Sequence, residues 1–221
     1  MSQKTPTHPS GIIPEEIVEK VFKRRGRLHA FPSIDAAKTA LVVIDLDIGT
    51  GRDKANLQQI ADNVNVLAKA VRTKGGVVAW VTTPVQNATT NFRAVFGDAA
   101  TDNYERMGKA GGEATKLWPE LLPGAGDIHT IKQGHSAFFP GKSSLNELLQ
   151  ARGVESIIIV GAVTNVCCEA SARDAAELQY KVTMISDALI GQSPELDRAT
   201  LTTFFRCYGD VRPIRNMLEM L

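Results

Sequence analysis

Ser156-Ile157-Ile158-Ile159-Val160-Gly161 restricts the fold of this chain more than any other stretch. A continuous β-branched run without polar alternation suits a strand covered on both faces, as in a parallel sheet. Parallel neighbours need long crossovers, usually helical. The flanking sequence supplies them. Ala40–Leu46, Val77–Val81, Asp127–Lys132 and Val182–Ser186 read as further strands, and Val211 falls in a short last one. Leu57, Ile60, Val64, Leu67, Ala68 and Val71 recur at helical spacing over 55–73, and Gly75-Gly76 ends that helix. Further helices are predicted at 14–23, 143–152, 165–178, 194–205 and 213–221. The alternation predicts an α/β fold of three layers (α/β/α). It has a mostly parallel sheet of about six strands, with helices on both faces and right-handed crossovers.

A length of 221 residues fits one such domain. Residues 1–37 read as an N-terminal arm with a short helix opened by Pro14, and 38–221 as the domain itself. Residues 1–13 are expected to be flexible. The polar, glycine-bearing stretch 84–115 is expected to be functional, mobile or partly helical, with a lid and a subunit contact both open.

Charge narrows the partners. A formal net charge of +1 gives no bulk attraction to nucleic acid or anionic lipid. The basic cluster Lys23-Arg24-Arg25-Gly26-Arg27 reads as a solvated or subunit-contacting segment. No apolar run reaches the roughly 20 residues needed to span a bilayer, and the polar start resembles no signal peptide. The three cysteines, Cys167, Cys168 and Cys207, form no disulfide framework. Reduced thiols and a cytoplasmic location are therefore expected.

In an open parallel sheet, ligands bind outside the carboxyl ends of the strands. Strand one ends at Asp45 and strand three at Lys132. The loop after strand four runs through Thr164 to Cys167. A carboxylate, an amine and a thiol thus converge on one edge. Alone, each has a plainer reading: a turn aspartate, a solvated lysine, a small buried hydrophobe. Thr164 is a candidate N-cap, which puts Cys167 in the first turn of a helix. There the dipole and unpaired N–H groups are expected to lower the thiol pKa and to stabilise an oxyanion. Cys168, about 100° further round, is expected to face the core.

Gly161-Ala162-Val163-Thr164-Asn165-Val166-Cys167-Cys168-Glu169 resembles the nucleophile motif of the isochorismatase-like cysteine hydrolases. Ala40–Asp45 resembles that family's first strand with its aspartate. Lys132-Gln133-Gly134-His135-Ser136-Ala137-Phe138 resembles its lysine motif. The similarity covers about residues 38–215. It implies a nucleophilic Cys167, with Asp45 carrying its proton and Lys132 stabilising the thiolate. It also implies a cis bond between Ala162 and Val163, which joins the Val163 and Cys167 N–H groups in an oxyanion hole. The implied reaction is hydrolysis of a C–N bond in a small amide, carbamoyl or ureido compound.

Departures from the pattern bear on the substrate. Asp47 replaces the usual glutamine, and Gly134-His135 stand where Arg-Tyr is common. Asp47, His135, Phe138 and Thr164 are the predicted substrate contacts. The histidines, at 8, 29, 129 and 135, show no ligand spacing, so neither metal nor cofactor is expected. A homo-oligomer, dimer or tetramer, is expected from the resemblance alone. An ether hydrolase with an incidental cysteine and a non-catalytic binding protein are the competing readings.

Overall fold

The computed structural model describes residues 7–48 and 54–221. The loop Gly49-Thr50-Gly51 and the first six residues lie outside that range. After α1 (Glu15–Arg25), strands and helices alternate: β1 (Thr39–Ile44), α2 (Lys54–Thr73), β2 (Val77–Thr82), α3 (Thr90–Phe96), α4 (Asp98–Gly108), β3 (Ile128–Ile131), α5 (Leu145–Gln150), β4 (Ser156–Ala162), α6 (Glu169–Glu177), β5 (Lys181–Ile190), α7 (Pro194–Cys207), β6 (Asp210–Arg212) and α8 (Ile214–Met220). The six strands form one sheet in the order β3-β2-β1-β4-β5-β6, and every pairing is parallel.

The apolar strands are explained by what covers them. Every residue of β1 is buried. Ala40, Val42 and Ile44 enter one core with Leu145 and Leu149 of α5, Ala172 and Ala175 of α6, and Phe204 and Phe205 of α7. Leu41 and Val43 enter the other with Leu57, Val64, Leu67 and Val71 of α2 and Met217 of α8. Strand alternation therefore feeds two hydrophobic layers.

The chain order reverses direction between β1 and β4, which pair directly from Thr39↔Ser156 to Ile44↔Gly161. A crevice opens beyond that point, where the loops leave the sheet in opposite directions. Close approach there requires a glycine. A Cβ on Gly161 would lie 2.1 Å from the Ile44 carbonyl oxygen, and φ is +116°. Gly161→Ala is expected to cost about 2–3 kcal/mol. The check is a urea denaturation midpoint, and an unchanged midpoint would contradict the account.

The arm differs from its sequence reading from residue 7 onward. His8 is 3% exposed and Ile13 5%, so this part of the 1–13 stretch is packed. The His8 ring meets Phe205 edge-on at 4.8 Å. Burial beside His29 lowers the His8 pKa to about 4. Val18 and Val21 of α1 belong to the main core. Lys23, Arg24 and Arg27 of the basic cluster are solvent-exposed, and two of its arginines also serve the fold. Arg24 donates to the Arg206 carbonyl and Arg25 to that of Phe205, so both cap the last turn of α7. Cations there meet carbonyls without helical partners and the negative dipole end.

Candidate active site

The loops at the carboxyl ends of β1, β2, β3 and β4 converge. Asp45 follows β1 with φ of 49°, a left-handed conformation that aspartate tolerates better than most residues. Its N–H donates to Val81 O at 2.9 Å, holding it against the end of β2. Lys132 follows β3, and its N–H donates to Thr82 O at 3.0 Å. Its side chain is fully buried. A buried ammonium requires acceptors, and Lys132 Nζ has three: Asp45 Oδ2 at 2.9 Å, Gly134 O at 3.0 Å and Cys167 Sγ at 3.4 Å. The structure thus brings together the three residues expected to meet at this edge.

Two further residues fix the arrangement and went unread in the sequence. Thr83, the first residue after β2, donates its hydroxyl to Asp45 Oδ1 at 2.7 Å. It lies on the same strand edge, so the rule that located Asp45 extends to it. Ser171 accepts from Ala137 N–H at 2.9 Å and donates to Cys167 O at 2.6 Å, tying the lysine loop to the thiol's own turn. Nothing in the spacing of Ser171 pointed to that.

The segment carrying the thiol is a π-helical turn, Thr164–Cys168, which leads into α6. Thr164 is not an N-cap. Val163 occupies the cap position without a side-chain bond, and Thr164 is the first residue of the turn. The Thr164 hydroxyl is fully buried and has no hydrogen-bond partner among the described residues. The Ala162–Val163 peptide bond is cis. Cys168 is wholly buried in the main core.

The other predicted contacts divide. His135 Nδ1 is 4.0 Å from Cys167 Sγ. Asp47 is 5% exposed and pairs antiparallel with Leu117, where Ile48 N–H meets Lys116 O and Trp118 N–H meets Leu46 O. Phe138 belongs to the core cluster against which Cys167 packs. It is 2% exposed and packs in the core, with its ring 6.0 Å from Tyr180.

Electrostatics reverse one expectation. Burial, and then the Asp45 carboxylate, push the Cys167 thiol up to about 12; Lys132 opposes them. Burial disfavours the Lys132 ammonium, but Asp45 and then Cys167 outweigh it and raise the pKa. Desolvation and a neighbouring carboxylate thus outweigh the position at a helix start. The resting group is a neutral thiol beside a carboxylate and an ammonium. Alkylation of Cys167 by iodoacetamide, followed by peptide mapping, is expected to accelerate continuously from pH 7 to 11. A plateau near the ordinary thiol value of about 8.5 would contradict this.

Among the described residues, no group of three or more His, Cys, Asp or Glu side chains could hold a metal. No described helix is long and apolar enough to cross a membrane.

Comparison with known proteins identifies the family and the fold. A family model described as Isochorismatase domain matches residues 39–215. The chain belongs to the isochorismatase family. Over 195 residues it is 30% identical to the uncharacterized isochorismatase family protein YwoC of Bacillus subtilis (strain 168), covering 86% of this chain and 97% of that protein. It is 28% identical to the ureidoacrylate amidohydrolase RutB of Klebsiella pneumoniae, covering 82% and 87%. Among solved structures, a cysteine hydrolase from Pseudomonas syringae pv. phaseolicola superposes with a TM-score of 0.77 at 24% identity, covering 88% of this chain and 96% of that one. N-carbamoylsarcosine amidase from Thermoplasma acidophilum gives 0.66 at 22%, covering 80% and 96%. These two share the three-layer α/β/α fold.

Proposed function

We propose that this isochorismatase-family hydrolase cleaves the C–N bond of a small amide, carbamoyl or ureido compound through a thioester on Cys167. The observation that carries the reading is the meeting of one thiol and one carboxylate at a single buried ammonium, 3.4 Å and 2.9 Å from its nitrogen. The relative named as a ureidoacrylate amidohydrolase supports the choice of bond.

A neutral thiol is a poor nucleophile, so the proton must leave as sulfur attacks. Asp45 takes it. The C–S bond forms as the carbonyl π pair moves onto oxygen, and the Val163 and Cys167 N–H groups receive that oxyanion. Lys132 offsets the charge growing on sulfur and holds Asp45 in line. When the tetrahedral intermediate collapses, Asp45 returns the proton to the departing nitrogen. Water then loses a proton to Asp45 and attacks the thioester, and the thiol departs with the proton restored. His135, 4.0 Å from the thiol, contacts the substrate.

The test is ammonia or amine release from a panel of small amides, ureides and N-carbamoyl acids. Release from at least one class, lost in the Cys167→Ala variant, is the expected result. Release that survives in that variant rejects the thioester route and leaves Cys167 incidental to C–N cleavage.

A further inference from the structure

The stretch between β2 and β3 contains a helical hairpin, and its apolar side has no role in the mechanism above. Phe92 and Phe96 of α3 stack at 4.4 Å, and Tyr104 of α4 meets both edge-on at 6.0 and 5.8 Å. Phe96 nevertheless stays 38% exposed, Tyr104 39% and Val95 71%. Clustered rings left open to solvent on a well-tied element suit contact with a further apolar group. Their position says which one. The Phe96 ring lies 6.5 Å from the His135 ring, and His135 Nδ1 lies 4.0 Å from Cys167 Sγ. A continuous path of side chains therefore runs from the thiol through His135 to Phe96.

The hairpin is held firmly. Arg93 binds Asp102 at 2.8 Å, Asp98 at 3.1 Å and Glu105 at 3.3 Å, joining α3 to α4. Glu105 also accepts from Ala88 N–H at 2.7 Å. At Gly108, α4 approaches the backbone after β2 so closely that a Cβ would lie 2.2 Å from Val85 O. Arg93 is thus neutralised by carboxylates, and Lys132 by Asp45. The two cations that these contacts link to the wall and the thiol have little left for an anion.

We infer that Phe96, set beside His135, is a specificity-determining residue, and that among the substrate classes proposed above it favours amides, with the acyl group transferred to Cys167 a flat, uncharged, apolar one packing on that ring. This inference rests on Cys167 as nucleophile but not on any particular leaving group. Aldehydes test it without turnover, because a thiol adds reversibly across the C=O bond. The C–S bond forms, the thiol proton ends on oxygen, and nothing is oxidised. Phenylacetaldehyde, butanal and succinic semialdehyde share an aliphatic aldehyde and differ in the group presented to the wall.

Protection of Cys167 from iodoacetamide, read by peptide mapping, gives a Kd for each. The wild type is expected to bind phenylacetaldehyde about tenfold tighter than butanal, with succinic semialdehyde weakest. Phe96→Ala is expected to reduce the phenylacetaldehyde-to-butanal preference to about threefold or less. Phe96→Tyr retains the preference, as does Leu178→Ala, a change at an exposed residue after α6. A preference that persists in Phe96→Ala, or tightest binding of succinic semialdehyde, overturns the inference while leaving the nucleophile standing. No protection by any of the three overturns both.

Discussion

Lys132→Met is expected to lower kcat/KM by about 10³ on whichever substrate the wild type turns over. Methionine keeps most of the buried stem's volume and removes only the charge and its three contacts. Asp45 then loses the partner at 2.9 Å that aims it, although the Thr83 hydroxyl still holds its other oxygen at 2.7 Å. The Gly134 carbonyl loses the donor it has in Lys132, and the thiol loses the one neighbour that opposes its upward shift. Breaking such a pair also costs stability, about 3 kcal/mol. The kinetic loss must therefore be measured on protein shown to be folded by near-UV circular dichroism and thermal melting. A kcat/KM within tenfold of wild type would remove Lys132 from the mechanism.

The second large effect separates two adjacent thiols. Cys167→Ala is expected to reduce turnover by about 10⁴ or more, since the thioester cannot form without the sulfur. Cys168→Ala is expected to leave turnover within a few-fold and to cost about 1–2 kcal/mol, because Cys168 is buried in the main core. The pH dependence gives a further check. Above about pH 9 the Cys167 thiol ionises in the unfolded chain but stays protonated in the folded one, where its pKa is about 12. The folded state then binds more protons, so its stability falls as pH rises through that window. Cys167→Ala lacks this loss, so the variant is expected to gain on the wild type between pH 9 and 11. Equal slopes of stability against pH would contradict the shift.

Much of this was legible because parallel strands carry two signals at once. The apolar run of β1 marks a doubly covered strand, and the residue that ends the run marks the crevice. Asp45 and Lys132 were both found this way, and Thr83 was within reach of the same rule. The helical hairpin was harder to see. Thr89 does cap α3, accepting from Phe92 N–H at 3.1 Å, but α3 is short and its rings pack on α4 instead of the sheet. A 3.6-residue pattern has little room to declare itself there, so Phe96 went unread.

The errors have physical causes as well. Thr164 was one position out because the turn starts on it, in a π-helical form that spacing does not reveal. The thiol shift was misjudged in sign because a helix start is visible in sequence. Burial and a carboxylate brought from β1 are visible only in three dimensions.

The most direct test of the central claim is acid quenching of the enzyme during turnover, followed by intact-mass and peptide analysis. The account predicts a mass increase equal to the substrate's acyl group, located on Cys167 and absent from the Cys167→Ala variant. Product formed at full rate with no acyl group on Cys167, and formed equally by that variant, would contradict it.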